Sequence, residues 1–160
     1  MNTNVKKICQ GAIIAALYIV LTFVANAFGL ANYAVQVRFS EALTVLPFFT
    51  SSAIPGLFVG CLLSNILTGC ALPDIIFGSL ATLIGGVLTY CLRNKTKWLA
   101  PLPPIVANAV IVPFVLKYAY GIEPLWFSFV TVTAGEIISC GLLGILLINA
   151  LSRYKDQLFK

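Results

Sequence analysis

The sequence predicts an all-α fold, a polytopic membrane protein built as a bundle of six transmembrane helices with both termini cytoplasmic. Three observations carry that prediction. The 160 residues are 60% hydrophobic and only 9% charged, whereas a soluble domain carries roughly 25% charged residues; such a chain cannot cover itself with polar surface. Two long stretches, Ile8 to Phe28 and Ala42 to Pro73, carry no charge at all, and a bilayer core needs about 20 apolar residues per helix. Between the apolar stretches most of the basic residues gather in three short clusters: Lys6 and Lys7; Arg93, Lys95 and Lys97; Arg153, Lys155 and Lys160. Short cytoplasmic loops carry that bias.

The first stretch, Ile8–Phe28, is too long for a signal-peptide core and has no convincing cleavage site, so it reads as a retained helix. Within it, "CQGAIIAALYIV" sets Gly11 four residues before Ala15 and Ala12 four before Ala16. That spacing makes a smooth face on which another helix can pack closely, inside the bundle or from a partner. The next run, Glu41–Cys70, must be two helices. If all three basic clusters lie inside, an even number of crossings separates each pair, and one helix here would break the count. "FFTSSAIPG" (Phe48 to Gly56) supplies the break, with Pro55 suited to the first turn of the following helix. Both pieces are short, since Arg38 to Thr50 reaches roughly 20 Å at 1.5 Å per residue. Short, Pro/Gly-interrupted segments often lie beside a substrate site. Ile75–Leu92 is the fourth helix, where "IGG" (Ile84 to Gly86) suits close packing; Trp98–Leu116 is the fifth and Pro124–Ser152 the sixth. With no internal repeat or long linker, residues 1–160 form one domain.

This topology puts Arg38, Glu41, Asp74, Lys117 and Glu123 on the outer side. Arg38 and Glu41 stand at the start of the second helix, as a local capping pair or as ligand contacts. Glu136 lies about 12 residues beyond Pro124, roughly 18 Å down a helix entered from outside. An ionisable group near the midplane is a functional-site hypothesis by default; a protonated or amide-paired structural glutamate is the alternative. Trp126, Phe129, Thr133 and Glu136 follow a 3-4-3 spacing, either packing or a slot for a flat heterocycle. Asn65 and Asn108 need partners across helices or in a ligand. Asp74, after Pro73, is an N-cap or a ligand contact.

Several function classes are excluded. The chain has no histidine, which removes histidine-based metal sites and catalytic dyads. Its five cysteines sit in apolar segments without metal-like spacing and read as small packing residues. No metal or cofactor is expected. The net charge of +5 is dispersed and topogenic rather than a nucleic-acid-binding stripe. No G-x-x-x-x-G-K-[ST], H-E-x-x-H or G-x-S-x-G occurs, so the chain has no Walker-type site of its own.

"VRFSEALTVLPFFTSSAIPGLFVGCLLSN" followed by "LPDIIFGSLATLIGG" resembles the QueT family, substrate-binding S components of energy-coupling factor (ECF) transporters assigned to queuosine precursors. The similarity covers the whole chain in length and span count and is most specific from Gln36 to Gly86. Arg38, Ser40, Glu41, Leu46-Pro47, Pro55-Gly56 and Asp74 through Thr82 carry it. The resemblance implies a multi-pass protein of the bacterial plasma membrane with an outward-facing pocket and no enzymatic activity. ATP hydrolysis would fall to an ECF module, a transmembrane coupling subunit with two ATPases. In such systems the small-residue face of the first helix, here Ala12 and Ala16, docks onto the coupling subunit. The implied substrate is a 7-deazaguanine base carrying an aminomethyl group. A carboxylate can accept from a guanine-like N1–H and exocyclic amine, and a second can pair with the ammonium. Glu41, Asp74 and Glu136 are the candidate carboxylates, with Asn108 and Asn65 for the carbonyl and ring nitrogens. Trp126, Tyr118 or Tyr33 would supply the stacking face. Two other readings stand beside this one: an S component for another vitamin or nucleobase, and a small membrane enzyme or scaffold using Glu136 as a proton carrier.

Overall fold

A computed structural model describes residues 3–30 and 37–158; Tyr33 and Gln36 lie outside the described residues. Among those described there is no strand, and helix forms at every predicted position. The order is α1 (Thr3–Ala27), a 3-10 helix (Phe39–Phe48), α2 (Ala53–Leu67), α3 (Leu72–Cys91) and α4 (Leu102–Tyr120), the last preceded by a 3-10 turn at Lys97–Leu99. The final long helix, Leu125–Ser152, comprises α5 (Leu125–Glu136), a π-helical segment (Ile137–Leu143) and α6 (Gly144–Ser152), and a short α7 (Lys155–Leu158) follows. Among the described residues, four helices are long and apolar enough to cross a membrane: Asn4–Ala27, Leu72–Cys91, Lys97–Tyr120 and Leu125–Ser152. Phe39–Phe48 and Ala53–Leu67 are shorter.

The break inside the second apolar run falls where the Ser-Ser-Ala-Ile-Pro stretch calls for it. The Ala53 amide donates to the Thr50 carbonyl at 3.3 Å and the Ile54 amide to the Ser51 carbonyl at 3.2 Å. Pro55 is the third residue of α2, where its missing N–H would have no intrahelical partner anyway. Upstream of the break, the ten-residue 3-10 helix spans about 20 Å at 2.0 Å per residue. It occupies the middle of the molecule. Ser40 through Pro47 are all buried, and the segment packs against α1, α2, α3, the π segment and α6. Leu43 and Leu46 join Ile14, Tyr18, Leu57 and Cys61 in one core cluster, while Val45 meets Cys140 and Ile148 in another. Its apolar residues fill the centre, and its buried Ser40, Glu41 and Thr44 must find partners there.

Glycines set how closely its neighbours approach. A Cβ on Gly56 of α2 would lie 2.6 Å from the Gly11 carbonyl oxygen of α1, and one on Gly60 would lie 2.8 Å from the Tyr18 Cβ. These two helices therefore touch backbone to backbone, as small-xxx-small faces permit. The contact divides the small residues of α1. Gly11 and Ala15 are buried against α2, whereas Ala12 and Ala16 are exposed on the outer surface. The expected close packing at Ile84–Gly86 is made by Gly85, whose added Cβ would fall 2.8 Å from the Pro104 Cα of α4.

Hydrogen bonds gather the described residues of the three basic clusters at one end of the bundle; Lys160 lies outside the described residues. Gln10 Nε2 donates to the Leu158 carbonyl at 2.8 Å, and Lys97 Nζ to Asn149 Oδ1 at 2.6 Å. At the opposite end, Lys117 and Glu123 form a salt bridge of 3.1 Å. The reading of all five cysteines as packing residues needs correcting. Cys61 and Cys140 are buried, Cys70 is half-buried, and Cys9 and Cys91 are exposed; an apolar helix has an outer face too, and a thiol is apolar enough to sit on it.

Candidate functional site

Polar side chains from four elements converge inside the bundle. The 3-10 helix contributes Glu41, 2% exposed; α4 contributes Asn108, 4% exposed; and α5 ends on Glu136, 6% exposed. Asn108 bridges the two carboxyls. Its Nδ2 donates to Glu136 Oε1 at 3.0 Å and, at a longer 3.4 Å, to Glu41 Oε2. The other Glu41 oxygen, Oε1, accepts from the Tyr18 hydroxyl of α1. Tyr18 is itself almost wholly buried, and one turn further along α1 the Thr22 hydroxyl donates to Ser40 Oγ at 2.9 Å. Glu41 is thus gripped from both sides. Each such bond satisfies a group that would otherwise cost about 1–3 kcal/mol to bury unpaired.

Arg38 closes the cluster from the N-terminal end of the 3-10 helix. It lines one small cavity with Glu41, Cys61, Thr82, Asn108 and Glu136. The cavity measures about 10 Å³, room for roughly one water. Arg38 and Glu41 do not form the local ion pair that their spacing allowed: among the described residues the one salt bridge is Lys117–Glu123. Nor does Arg38 cap the helix with its side chain; only its carbonyl is used, accepting from the Glu41 amide at 3.0 Å. Among the described residues two charge-bearing side-chain atoms are buried without a hydrogen-bond partner, Arg38 Nε and Glu136 Oε2. Guanidinium stays charged under all ordinary conditions, so the cavity combines a fixed cation, two carboxyls and an amide.

Asn65 and Asp74 form a neighbouring group rather than part of the cavity wall. Asn65 Nδ2 reaches the Asp74 carbonyl at 3.4 Å, and Asp74 Oδ2 accepts from the Tyr120 hydroxyl at 3.1 Å. Tyr120 also accepts from the Ala71 amide at 2.9 Å, so the group ties together the ends of α2, α3 and α4. The N-cap reading of Asp74 is corrected here. The cap position is Ala71, and Asp74 lies in the first turn of α3, where an anion still meets the favourable end of the helix dipole.

The aromatic stripe does not come together with Glu136. Trp126 is 66% exposed and Tyr118 80% exposed. Phe129 and Thr133 line an outward-facing groove with Val130, Ala134 and Ile137. The reason is helical geometry: at 100° per residue Trp126 stands about 160° around the axis from the buried Ser128, on the far side of the helix from the residues that face inward. The stripe that does face inward is Ser128, Val132 and Glu136, spaced by four.

Sequence reasoning missed Tyr18 and Thr22, and named Ser40 and Thr82 only among the residues that carry the resemblance. A signal existed for the first. A tyrosine in the middle of an apolar span must place its hydroxyl somewhere, and buried tyrosines usually hydrogen-bond. All four carry hydroxyls, and apolar-run scanning treats those of Thr22, Ser40 and Thr82 as neutral. The π segment directly after Glu136 was equally invisible, although π segments are frequent beside functional sites.

Comparison with known proteins accords with this architecture. The model of the QueT transporter family matches residues 8–153. A curated relative, the queuosine precursor transporter QueT of Lactococcus lactis subsp. cremoris (strain MG1363), is 37% identical over 86 residues. That match covers 54% of this chain and 50% of the relative, so the alignment spans about half the length of each. No solved structure matches the chain.

Proposed function

The chain belongs to the QueT transporter family, and on that premise we propose that it is the membrane-embedded substrate-binding subunit of an ECF-type importer for a queuosine precursor. The observation that carries this reading is the buried Glu41–Asn108–Glu136 bridge with Arg38 beside it, lining one cavity. A 7-deazaguanine base is rich in N–H donors on one edge and carries a carbonyl next to them. Carboxyl oxygens suit the donors and a guanidinium suits the carbonyl. An aminomethyl substituent, as an ammonium, would add a charge opposite in sign to the carboxylates.

The six helices then cross the bacterial plasma membrane with the basic end of the bundle inside. Arg38 and the Asp74–Tyr120 group lie toward the outer side. The cavity is far smaller than the roughly 300–1,000 Å³ of ordinary ligand pockets, so a base enters as the helices around it part. The chain forms one substrate-binding domain and hydrolyses no nucleotide. A coupling subunit and two ATPases supply that step, and Ala12 and Ala16, exposed on α1, form the face that docks onto the coupling subunit.

The test is equilibrium binding to the purified chain in detergent without ATP. Saturable binding of a 7-deazaguanine, displaced by related deazaguanines and not by vitamins, is the expected result. Displacement by a vitamin would make it an S component of another specificity. Absence of heterocycle binding, with turnover or proton movement dependent on Glu136, would favour the enzyme or carrier reading instead.

A further inference from the structure

Four buried side-chain atoms of the described residues have no hydrogen-bond partner: Arg38 Nε, Ser128 Oγ, Glu136 Oε2 and Ser139 Oγ. Hydroxyl groups can rotate toward weak acceptors, and Ser128 and Ser139 are not among the cavity-lining residues. Arg38 and Glu136 both line that cavity. Their orphan atoms are complementary in kind. Arg38 Nε is a donor with no acceptor capacity, and a carboxyl oxygen is an acceptor. Glu136 is more than nine-tenths buried, so solvent does not satisfy it. Glu41 differs from Glu136 in one respect: both of its oxygens are already engaged, one by Tyr18 and one by Asn108. The two carboxyls that look equivalent in sequence are not equivalent in the fold.

We propose that Arg38 and Glu136 are the direct ligand contacts and together read a lactam edge, a ring carbonyl flanked by a ring N–H. Arg38 Nε–H donates to the carbonyl oxygen, and Glu136 Oε2 accepts from the adjacent N–H. Glu41 is a positioning residue: it fixes Asn108, which in turn holds Glu136 Oε1 and leaves Oε2 facing the cavity. In a 7-deazaguanine the edge in question is the carbonyl at position 6 with N1–H. This assignment rests on the substrate reading given above and adds to it which edge of the base faces inward and which residues read it.

The experiment compares two ligands, 7-deazaguanine and its 6-O-methyl ether, on the purified chain and three variants. The ether masks the carbonyl and turns N1 from donor into acceptor, leaving the rest of the ring system in place. The wild-type chain should prefer the parent base by roughly 5- to 150-fold, the range set by one buried unpaired group. Glu136→Gln should reduce that preference to less than about threefold, because the amide nitrogen can now donate to the ether's N1. Arg38→Lys keeps the charge and removes Nε, and should also weaken the preference, providing a second route should Glu136→Gln fail to fold. Glu41→Gln should weaken both ligands by a similar factor and leave the preference intact. An undiminished preference in both Glu136→Gln and Arg38→Lys would overturn the assignment, as would its collapse in Glu41→Gln alone. Binding of neither ligand to the wild-type chain would overturn the substrate reading itself, a result distinguishable from the others before any variant is made.

Discussion

Gly56→Ala tests how the α1–α2 contact holds the site. The added Cβ would sit 2.6 Å from the Gly11 carbonyl oxygen, 3.1 Å from its Cα and 3.2 Å from its carbonyl carbon. The first of these is about 0.8 Å inside ordinary contact at 3.4 Å. All three atoms are backbone, so no side-chain rotation relieves the overlap, and the helices must move apart. Opening the crossing loosens the packing of Gly60 against Ala15 and Tyr18, and overpacking of this kind costs about 1–3 kcal/mol. Alanine's higher helix propensity works the other way by up to about 1 kcal/mol. A matched control removes that complication. At Gly86 the added Cβ would meet only the Pro47 Cγ at 3.6 Å, ordinary contact, so Gly86→Ala has the propensity gain without the clash. Unfolding of both variants in detergent micelles should place Gly56→Ala about 1–3 kcal/mol below Gly86→Ala. Equal stabilities would mean that α1 and α2 do not meet at backbone distance, and the placement of Tyr18 beside Glu41 would lose its support.

Three further outcomes are expected. Tyr18→Phe keeps the buried ring but leaves Glu41 Oε1 without its donor, and should destabilise the chain by about 1–3 kcal/mol in the same unfolding assay; wild-type stability would show that the hydroxyl has another role. Replacing Ala12 and Ala16 with Trp adds bulk to an exposed face, so ECF-dependent uptake should be lost while equilibrium binding stays within about twofold; loss of both together would put this face inside the bundle. Cysteines introduced at Gly121 and Asn94, in chains whose native cysteines are replaced, should react with an impermeant thiol reagent from outside and only after lysis, respectively. The reverse pattern would refute the topology with the basic end inside.

Much of the architecture was legible along the chain because it depends on local, one-dimensional quantities. Hydropathy marks a span wherever enough apolar residues follow one another, and Ser51-Ser52 with Pro55-Gly56 ends one helix and starts the next whatever surrounds them. Arginine, glutamate and asparagine are costly to bury, so Arg38, Glu41, Asn108 and Glu136 stood out as candidates before any contact was known. Their relations were not legible, since these depend on how far each helix is turned about its axis and slid along it. Glu41 was expected at the outer mouth and Glu136 some 18 Å below it, yet one amide nitrogen on Asn108 reaches both. Trp126 was placed with Glu136 by spacing and separated from it by rotation, and it lies 66% exposed. Two small-residue pairs offset by one position looked interchangeable, until the Gly11–Gly56 contact buried one and left Ala12 and Ala16 outside. Composition thus determined that this protein lives in a bilayer and which of its residues needed partners. Only the packing of one helix on another could decide which partners they found, because a rotation of 100° per residue changes every neighbour while leaving the hydropathy of the chain untouched.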